Sequence, residues 1–189
     1  MTAQRNNLNI EASIATLVEA VPDPSLGLPD SVFYYISRTT PLVNVDLLVK
    51  DESGRTLLSW RNDLYAGTGW HIPGGIVRFK ETLETRVEKV AESEIGTAVQ
   101  FDRTPIALHQ IIHPELEIRG HFISLLYKCF LPGTFKPQNT GLSPEDAGYI
   151  EWHDRCPANL LDLQKMYRKY IDETKSDFLP GGIGAYADC

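Results

Sequence analysis

The chain has 189 residues, 42% hydrophobic and 10% aromatic, and carries a formal charge of −7; this length supports one sizeable core with extensions. The acidic balance, without clustered Lys and Arg, excludes non-specific nucleic-acid binding, which depends on neutralising phosphates. No run reaches the roughly 18 apolar residues of a membrane helix, the opening MTAQRNNLNIEAS lacks a cationic segment before an apolar one, and Cys129, Cys156 and Cys189 show no paired or metal-ligand spacing, so a soluble cytoplasmic protein is expected, with neither membrane nor nucleic acid as partner.

Ile10, Ile14, Leu17, Val18 and Val21 recur at helical spacing, and PDPSLGLPD then breaks the pattern, which predicts a short N-terminal helix and a linker over 1–37. PLVNVDLLVK reads as a largely buried strand, and DESGRT is a turn signal before LLSWRND, so a β-hairpin is expected. YAGTGWHIPGG reads as a loop rich in glycine and aromatics. From about Lys80 to Ile95 the apolar positions Leu83, Val87, Val90, Ala91 and Ile95 form a helical stripe, with Gly96 as the stop. PIALHQIIHPELEIRGHFISLLYKCF suggests two strands around a turn at 114–120, YIEWH a short further strand, and Leu160, Leu163, Tyr167 and Ile171 a C-terminal helix. The tail DFLPGGIGAYADC reads as mobile. Strands interleaved with two core helices make an α/β sandwich, with the core domain over 38–155 and the helix and tail over 156–189.

Chemistry concentrates between Gly74 and Gly96, GGIVRFKETLETRVEKVAESEIG. Glu81, Glu84, Glu88 and Glu92 recur at spacings of three and four, the pattern of a solvated acidic face. Glu94 lies off that run, in the last turn. A hard cation such as Mg²⁺ takes oxygen ligands and keeps several waters, so one or two carboxylates with substrate phosphates suffice. Glu94 is the best protein ligand on that ground. Asp46 stands alone among Val and Leu, where a carboxylate is costly unless it is paired or faces a cavity; it is either a site residue or a strand-edge residue facing solvent.

Gly75, five residues, Glu81, seven residues, Lys89, then Glu94 and Gly96 resemble the Nudix box, G-x5-E-x7-R-E-U-x-E-E-x-G-U with U aliphatic. Lys89 stands where the pattern has arginine, Val90 where it has the first glutamate of the REU triplet, and Ser93 where it has the first of the paired glutamates. The same kind of loss marks the GDP-mannose mannosyl hydrolases, which cut the sugar C1–O bond with a single Mg²⁺ and not the P–O–P bridge. TTPLVNVDLLVKDESGRTLLSWRND followed by GWHIPGGIV is similar in order and spacing to that subgroup's hairpin and box entry, and the likeness covers about residues 38 to 155.

The resemblance implies a Nudix-type α/β/α sandwich with a mixed sheet, a homodimer, and a nucleoside diphosphate sugar as substrate, with Mg²⁺ (or Mn²⁺) as cofactor. By this likeness Glu94 and the Gly74 carbonyl hold the metal, and Arg61 reaches the departing diphosphate, a task suited to a permanently charged fork. Asp46 contacts the sugar. Lys89 either binds diphosphate or braces Glu81 within the box, and His113 contacts sugar or phosphate, with His109 as the alternative. Ile76 stands where the subgroup has an arginine, for which Arg78 is the substitute two residues on. Ala147 aligns with the subgroup's histidine base and Asp146 with a neighbouring metal ligand, leaving Glu145 and Asp146 as carboxylates able to accept a proton. His71 reads as packing, and Trp60, Tyr65 and Trp70 either stack on a nucleobase or pack internally. Three functions are compatible with this pattern: hydrolysis of a nucleotide sugar at C1, pyrophosphate hydrolysis with a reduced box, and ligand binding without catalysis.

Overall fold

The computed structural model describes residues 9–65 and 67–173. Helix α1 (Ile10–Ala20) begins where Asn9 accepts the Ala12 N–H at 3.1 Å, a side-chain cap for an otherwise unpaired donor. It follows the predicted spacing, yet none of its residues is buried. The following stretch is more structured than a linker. Asp23 caps a 3₁₀ turn over Pro24–Leu26, and a second helix, α2 (Asp30–Ser37), follows Pro29.

Strands β1 (Leu42–Lys50) and β2 (Thr56–Asp63) form the expected hairpin, in register at Lys50 and Thr56. Its turn is held by Asp51, whose carboxylate accepts the N–H groups of Ser53 and Arg55, each at 2.9 Å. The strands then part. The opening of β1 pairs antiparallel with β4 (Gly74–Ile76), while β2 pairs with β3 (Gly67–His71) and, along its first half, with β8 (Ile150–His153).

The segment read as a loop therefore holds two strands. The alternation that marks a strand is invisible there because Gly67, Gly69, Gly74 and Gly75 carry no side chains.

Helix α3 (Leu83–Val90) follows, then β5 (Gln100–Phe101), β6 (Ala107–Ile112) and β7 (His121–Phe130). β7 runs parallel to β1 along its whole length, from Leu42 opposite Phe122 to Lys50 opposite Phe130, and β6 folds back on β7 as predicted. The sheet order is β3-β2-β1-β7-β5, with β4 beside β1, β6 beside β7 and β8 beside β2.

Side chains alternate across a strand, and both faces of β1 are covered. Val45, Leu47 and Val49 join Leu57, Val87, Val90, Ala91 and Ile95 on one face; Leu48 joins Leu58, Trp60, Leu126, Leu160, Tyr167 and Ile171 on the other. The second cover is a 3₁₀ stretch (Asp162–Tyr167) running into the single turn of α4 (Arg168–Ile171). The result is a mixed-sheet α/β/α sandwich. Lys50 ties that cover down: fully buried, its Nζ donates to the carbonyls of Gly54, Ile171 and Glu173 at 3.3, 2.9 and 3.1 Å. The C-terminal tail lies outside the described residues. Among those described, no helix is long and apolar enough to cross a membrane.

Candidate active site

The hairpin that parts after Lys50 opens a fork in the sheet, and two cavities lie there. The first, of about 170 Å³, is lined by Asn44 and Asp46 of β1, Arg61 of β2, Tyr65, His71, the 74–76 strand, Arg119 and apolar groups from β6, β7 and the C-terminal cover. The second is lined by Arg61, His71, Ser93, Glu94, Ala147 and Gly148 among others. Arg61 belongs to both.

Even-numbered residues of β1 face the C-terminal cover, so Asp46 points there and not to solvent. It is 2% exposed. Its carboxylate accepts from Asn44 Nδ2 at 2.8 Å, from the Tyr167 hydroxyl at 2.5 Å and from the Ser124 hydroxyl. Burial raises its pKa even so, against the pull of these donors and of Arg61. A buried carboxylate with three donors and an arginine nearby is a satisfied polar centre, and it forms part of the cavity wall.

Glu94 owes its place to a change of helical pitch. After Val90 the chain widens into a π turn over Ala91–Ile95, closed by Gly96 at φ 81°, whose N–H reaches Ala91 O at 3.0 Å. Such wide turns re-aim single side chains and recur at functional sites. The turn directs Glu94 at the sheet fork, where the Gly74 N–H meets its carboxylate. Its Oε2 is buried without a hydrogen-bond partner. Burial pushes its pKa up to about 7, although Arg61 and the Gly74 N–H favour the charged form; Asp46 adds to the rise.

Gly74 and Asp46 are register partners across β1 and β4. A Cβ at Gly74 would run into Asp46 Oδ1 and lie 2.9 Å from Val45 O. At Gly75 it would meet Val90 Cγ2 at 2.7 Å. The two glycines thus let the box loop press against both the carboxylate and α3.

Four expected site residues are engaged elsewhere. Lys89 Nζ lies 2.9 Å from Glu81 Oε1, and Arg86 grips Oε2 of the same carboxylate, with Nε donating at 2.7 Å and Nη2 at 2.6 Å as an ion pair. Of the two roles open to Lys89 the structure displays the brace. Arg78 donates to Leu26 O at 2.9 Å, fastening the box loop to the N-terminal segment and not filling the place left by Ile76. His113 closes the β6–β7 turn, its N–H to Gly120 O at 2.7 Å, and lines neither cavity. Asp146 is exposed and accepts the Ser143 N–H at 2.7 Å, immediately before the Ala147 and Gly148 that line the second cavity.

Two aromatic readings resolve to packing: Trp60 and Trp70 meet edge to face at 5.1 Å within the core. His71 is buried, its Nδ1 2.9 Å from Ile72 O, and burial with the nearby Arg61 charge holds it neutral, with a pKa lowered to about 3. Trp60 also lines the second cavity, and Tyr65 lines the first. So does Arg119, which the sequence reading passed over; a lone arginine in the turn ELEIRGH carries no local signal of a site.

A family model described as the NUDIX domain matches residues 40–174. The chain belongs to the Nudix hydrolase family. It is 37% identical over 145 residues to the low-salt glycan biosynthesis protein Agl8 of Haloferax volcanii, covering 68% of this chain and 92% of that one. Its fold is similar to the MutT NUDIX hydrolase of Burkholderia pseudomallei (TM-score 0.56, 22% identity, 69% of this chain and 97% of the other). A NUDIX-family hydrolase from Clostridium perfringens is similar too (TM-score 0.54, 14% identity, 70% and 95%).

Nudix hydrolases generally use divalent metals such as Mg²⁺, and the residues present here suit a lean site. Among the described residues no group of three or more His, Cys, Asp or Glu could hold a metal. The unpartnered, buried Oε2 of Glu94 is nevertheless an oxygen in need of a positive partner, and Mg²⁺ needs only one or two carboxylates when waters and phosphates complete its shell. Glu88 and Glu92, which a fuller Nudix site could recruit, are exposed.

Proposed function

We propose that the protein is a Mg²⁺-dependent hydrolase of a nucleoside diphosphate sugar, GDP-mannose-like, that breaks the sugar C1–O bond and releases free sugar and nucleoside diphosphate. The observation that carries this reading is the pair of cavities sharing Arg61. One contains the deeply buried Asp46, and the other contains Glu94 together with Asp63, the ion-pair partner of Arg61 at 3.7 Å. At about 170 Å³ the first cavity is smaller than the roughly 300–1,000 Å³ of a whole-ligand pocket, which suits one sugar ring with the remainder outside. The Haloferax relative, named for glycan biosynthesis, supports a sugar-bearing substrate.

Departure of a diphosphate from C1 passes through an oxocarbenium-like state, so the site chiefly has to stabilise the leaving group and hold the sugar. Glu94, with the Gly74 carbonyl, would hold Mg²⁺, which supplies positive charge to the leaving diphosphate. Arg61 grips diphosphate oxygens from between the cavities. Asp46 accepts sugar hydroxyl hydrogens. No histidine lines the second cavity except His71, which burial keeps neutral. Asp146 serves as a further ligand or proton acceptor once it releases the Ser143 N–H. A general base contributes typically about 10²–10⁴-fold, so a site with a displaced base is slow but not inert. The exposed Ile10, Ile14 and Val18 of α1 support the homodimer: a second copy covers them, and a monomer by light scattering counts against it.

Product analysis tests the reaction. A panel of nucleotide sugars with and without Mg²⁺ should give free sugar and nucleoside diphosphate. Sugar phosphate with nucleoside monophosphate would instead establish P–O–P cleavage, and binding without turnover would establish a non-catalytic role.

A further inference from the structure

Arg119 sits at the corner between β6 and β7 with φ 55°, a left-handed conformation that costs a non-glycine residue energy and persists only when its surroundings enforce it. The enforcement comes from α2. Ser37, 4% exposed, donates its hydroxyl to Tyr34 O at 2.9 Å and with the same oxygen accepts the Arg119 N–H at 3.2 Å.

The guanidinium then lies 5.3 Å over the ring of Tyr65, and Tyr34 of α2 meets Tyr65 at 5.8 Å. Arg119 and Tyr65 both line the first cavity, with Arg61. Nε of Arg119 is buried and has no hydrogen-bond partner. Orphaned buried donors of this kind are rare in folded proteins and point to a missing acceptor. A planar fork with fixed donors matches phosphate oxygens, and a contact through the face of the guanidinium with Tyr65 does not use the in-plane N–H groups that make those bonds.

We propose that Arg119 is a second phosphate-binding arginine, which with Arg61 grips the phosphate attached to the sugar where the ligand leaves this cavity, and that it is held in place by Ser37 and Tyr65, so that α2, which precedes the matched Nudix residues, completes the ligand site. Arg61 and Arg119 then approach the diphosphate from different parts of the sheet, strand β2 and the β6–β7 corner. Ser37 is a positioning residue; it touches the ligand only through Arg119. The inference rests on the proposed diphosphate-bearing ligand.

The test is calorimetric titration of inorganic pyrophosphate, with saturating Mg²⁺, into the full chain and into Arg119→Gln, Arg119→Lys and Ser37→Ala. The full chain should bind. Arg119→Gln should weaken binding at least about tenfold, the loss expected for a charged hydrogen-bond donor. Arg119→Lys should lie between, because an ammonium cannot grip two oxygens; Ser37→Ala should show a smaller loss that disappears in the Arg119→Gln background, with a modest fall in unfolding midpoint from the lost buried hydrogen bonds. Equal affinity in the full chain and Arg119→Gln, or no binding by the full chain, overturns the proposal. Should Arg119→Gln fail to fold, equal affinity in Arg119→Lys overturns it. Arg119-dependent binding without hydrolysis of any nucleotide sugar would sink the proposed reaction and leave this site standing. Hydrolysis with Arg119-independent binding would do the reverse.

Discussion

The hydroxyl of Tyr167 donates to the carboxylate of Asp46 at 2.5 Å across 121 positions of sequence, with the Ser124 hydroxyl 3.0 Å from the same phenol oxygen. The C-terminal cover is thereby hydrogen-bonded to the wall of the candidate sugar cavity. Burial and the neighbouring carboxylate both raise the Tyr167 pKa, so the phenol stays a donor throughout the physiological range. Tyr167→Phe keeps the packing and removes one donor from a buried carboxylate, which costs about 1–3 kcal/mol. Urea unfolding at neutral pH measures that loss, and it should come with weaker substrate binding.

Glu94→Gln should abolish Mg²⁺ binding and turnover, measured by titration calorimetry and product assay. The pH dependence has a definite sign. With its folded pKa raised to about 7, Glu94 carries a proton in the folded state that it lacks when unfolded between roughly pH 4.5 and 7. The metal-free protein therefore loses stability as pH rises through that window, and Glu94→Gln should flatten that decline. Because metal binding needs the carboxylate ionised, Mg²⁺ affinity should fall about tenfold per pH unit below 7.

Glu81 behaves in the opposite sense. Burial pushes its pKa up, but the Arg78 N–H, Lys89 and Arg86 outweigh this and hold it at about 2, below its usual 4.5. Its contribution is full above pH 4.5 and disappears as pH falls towards 2. Arg86 is itself 8% exposed, so Glu81→Gln leaves a buried guanidinium without its counter-charge and should cost about 2 kcal/mol at pH 7. The difference between variant and wild type should shrink at pH 3.

Lys50→Met should destabilise the C-terminal cover. Three carbonyls lose their donor, those of the buried Gly54 and Ile171 and that of the exposed Glu173, with an expected cost of about 2–4 kcal/mol. Hydrogen exchange would show the loss concentrated over 162–171.

The box helix was legible because its apolar stripe and its stop at Gly96 are local signals, and Asp46 because a charge stands out among Val and Leu. Strands β3 and β4 were hidden by glycine. α2 was hidden by the Pro- and Gly-rich run that precedes it. The partners of Asp46 could not be read at all, since Ser124 and Tyr167 come from β7 and the C-terminal cover. Arg119 was equally silent, its role depending on a serine 82 positions away.

Arg61 lowers the pKa of both Asp46 and Glu94, and Asp46 raises that of Glu94. The two carboxylates therefore feel one guanidinium, which is itself ion-paired to Asp63 at 3.7 Å, and each feels the other. Asp46→Asn should therefore leave Glu94 ionised to lower pH while removing a negative charge that favours Mg²⁺ at the site, even as it weakens the grip on the sugar. Gains and losses at the two ends of the substrate are thus thermodynamically entangled, and evolution of a new sugar preference at Asp46 would retune the metal at the same time.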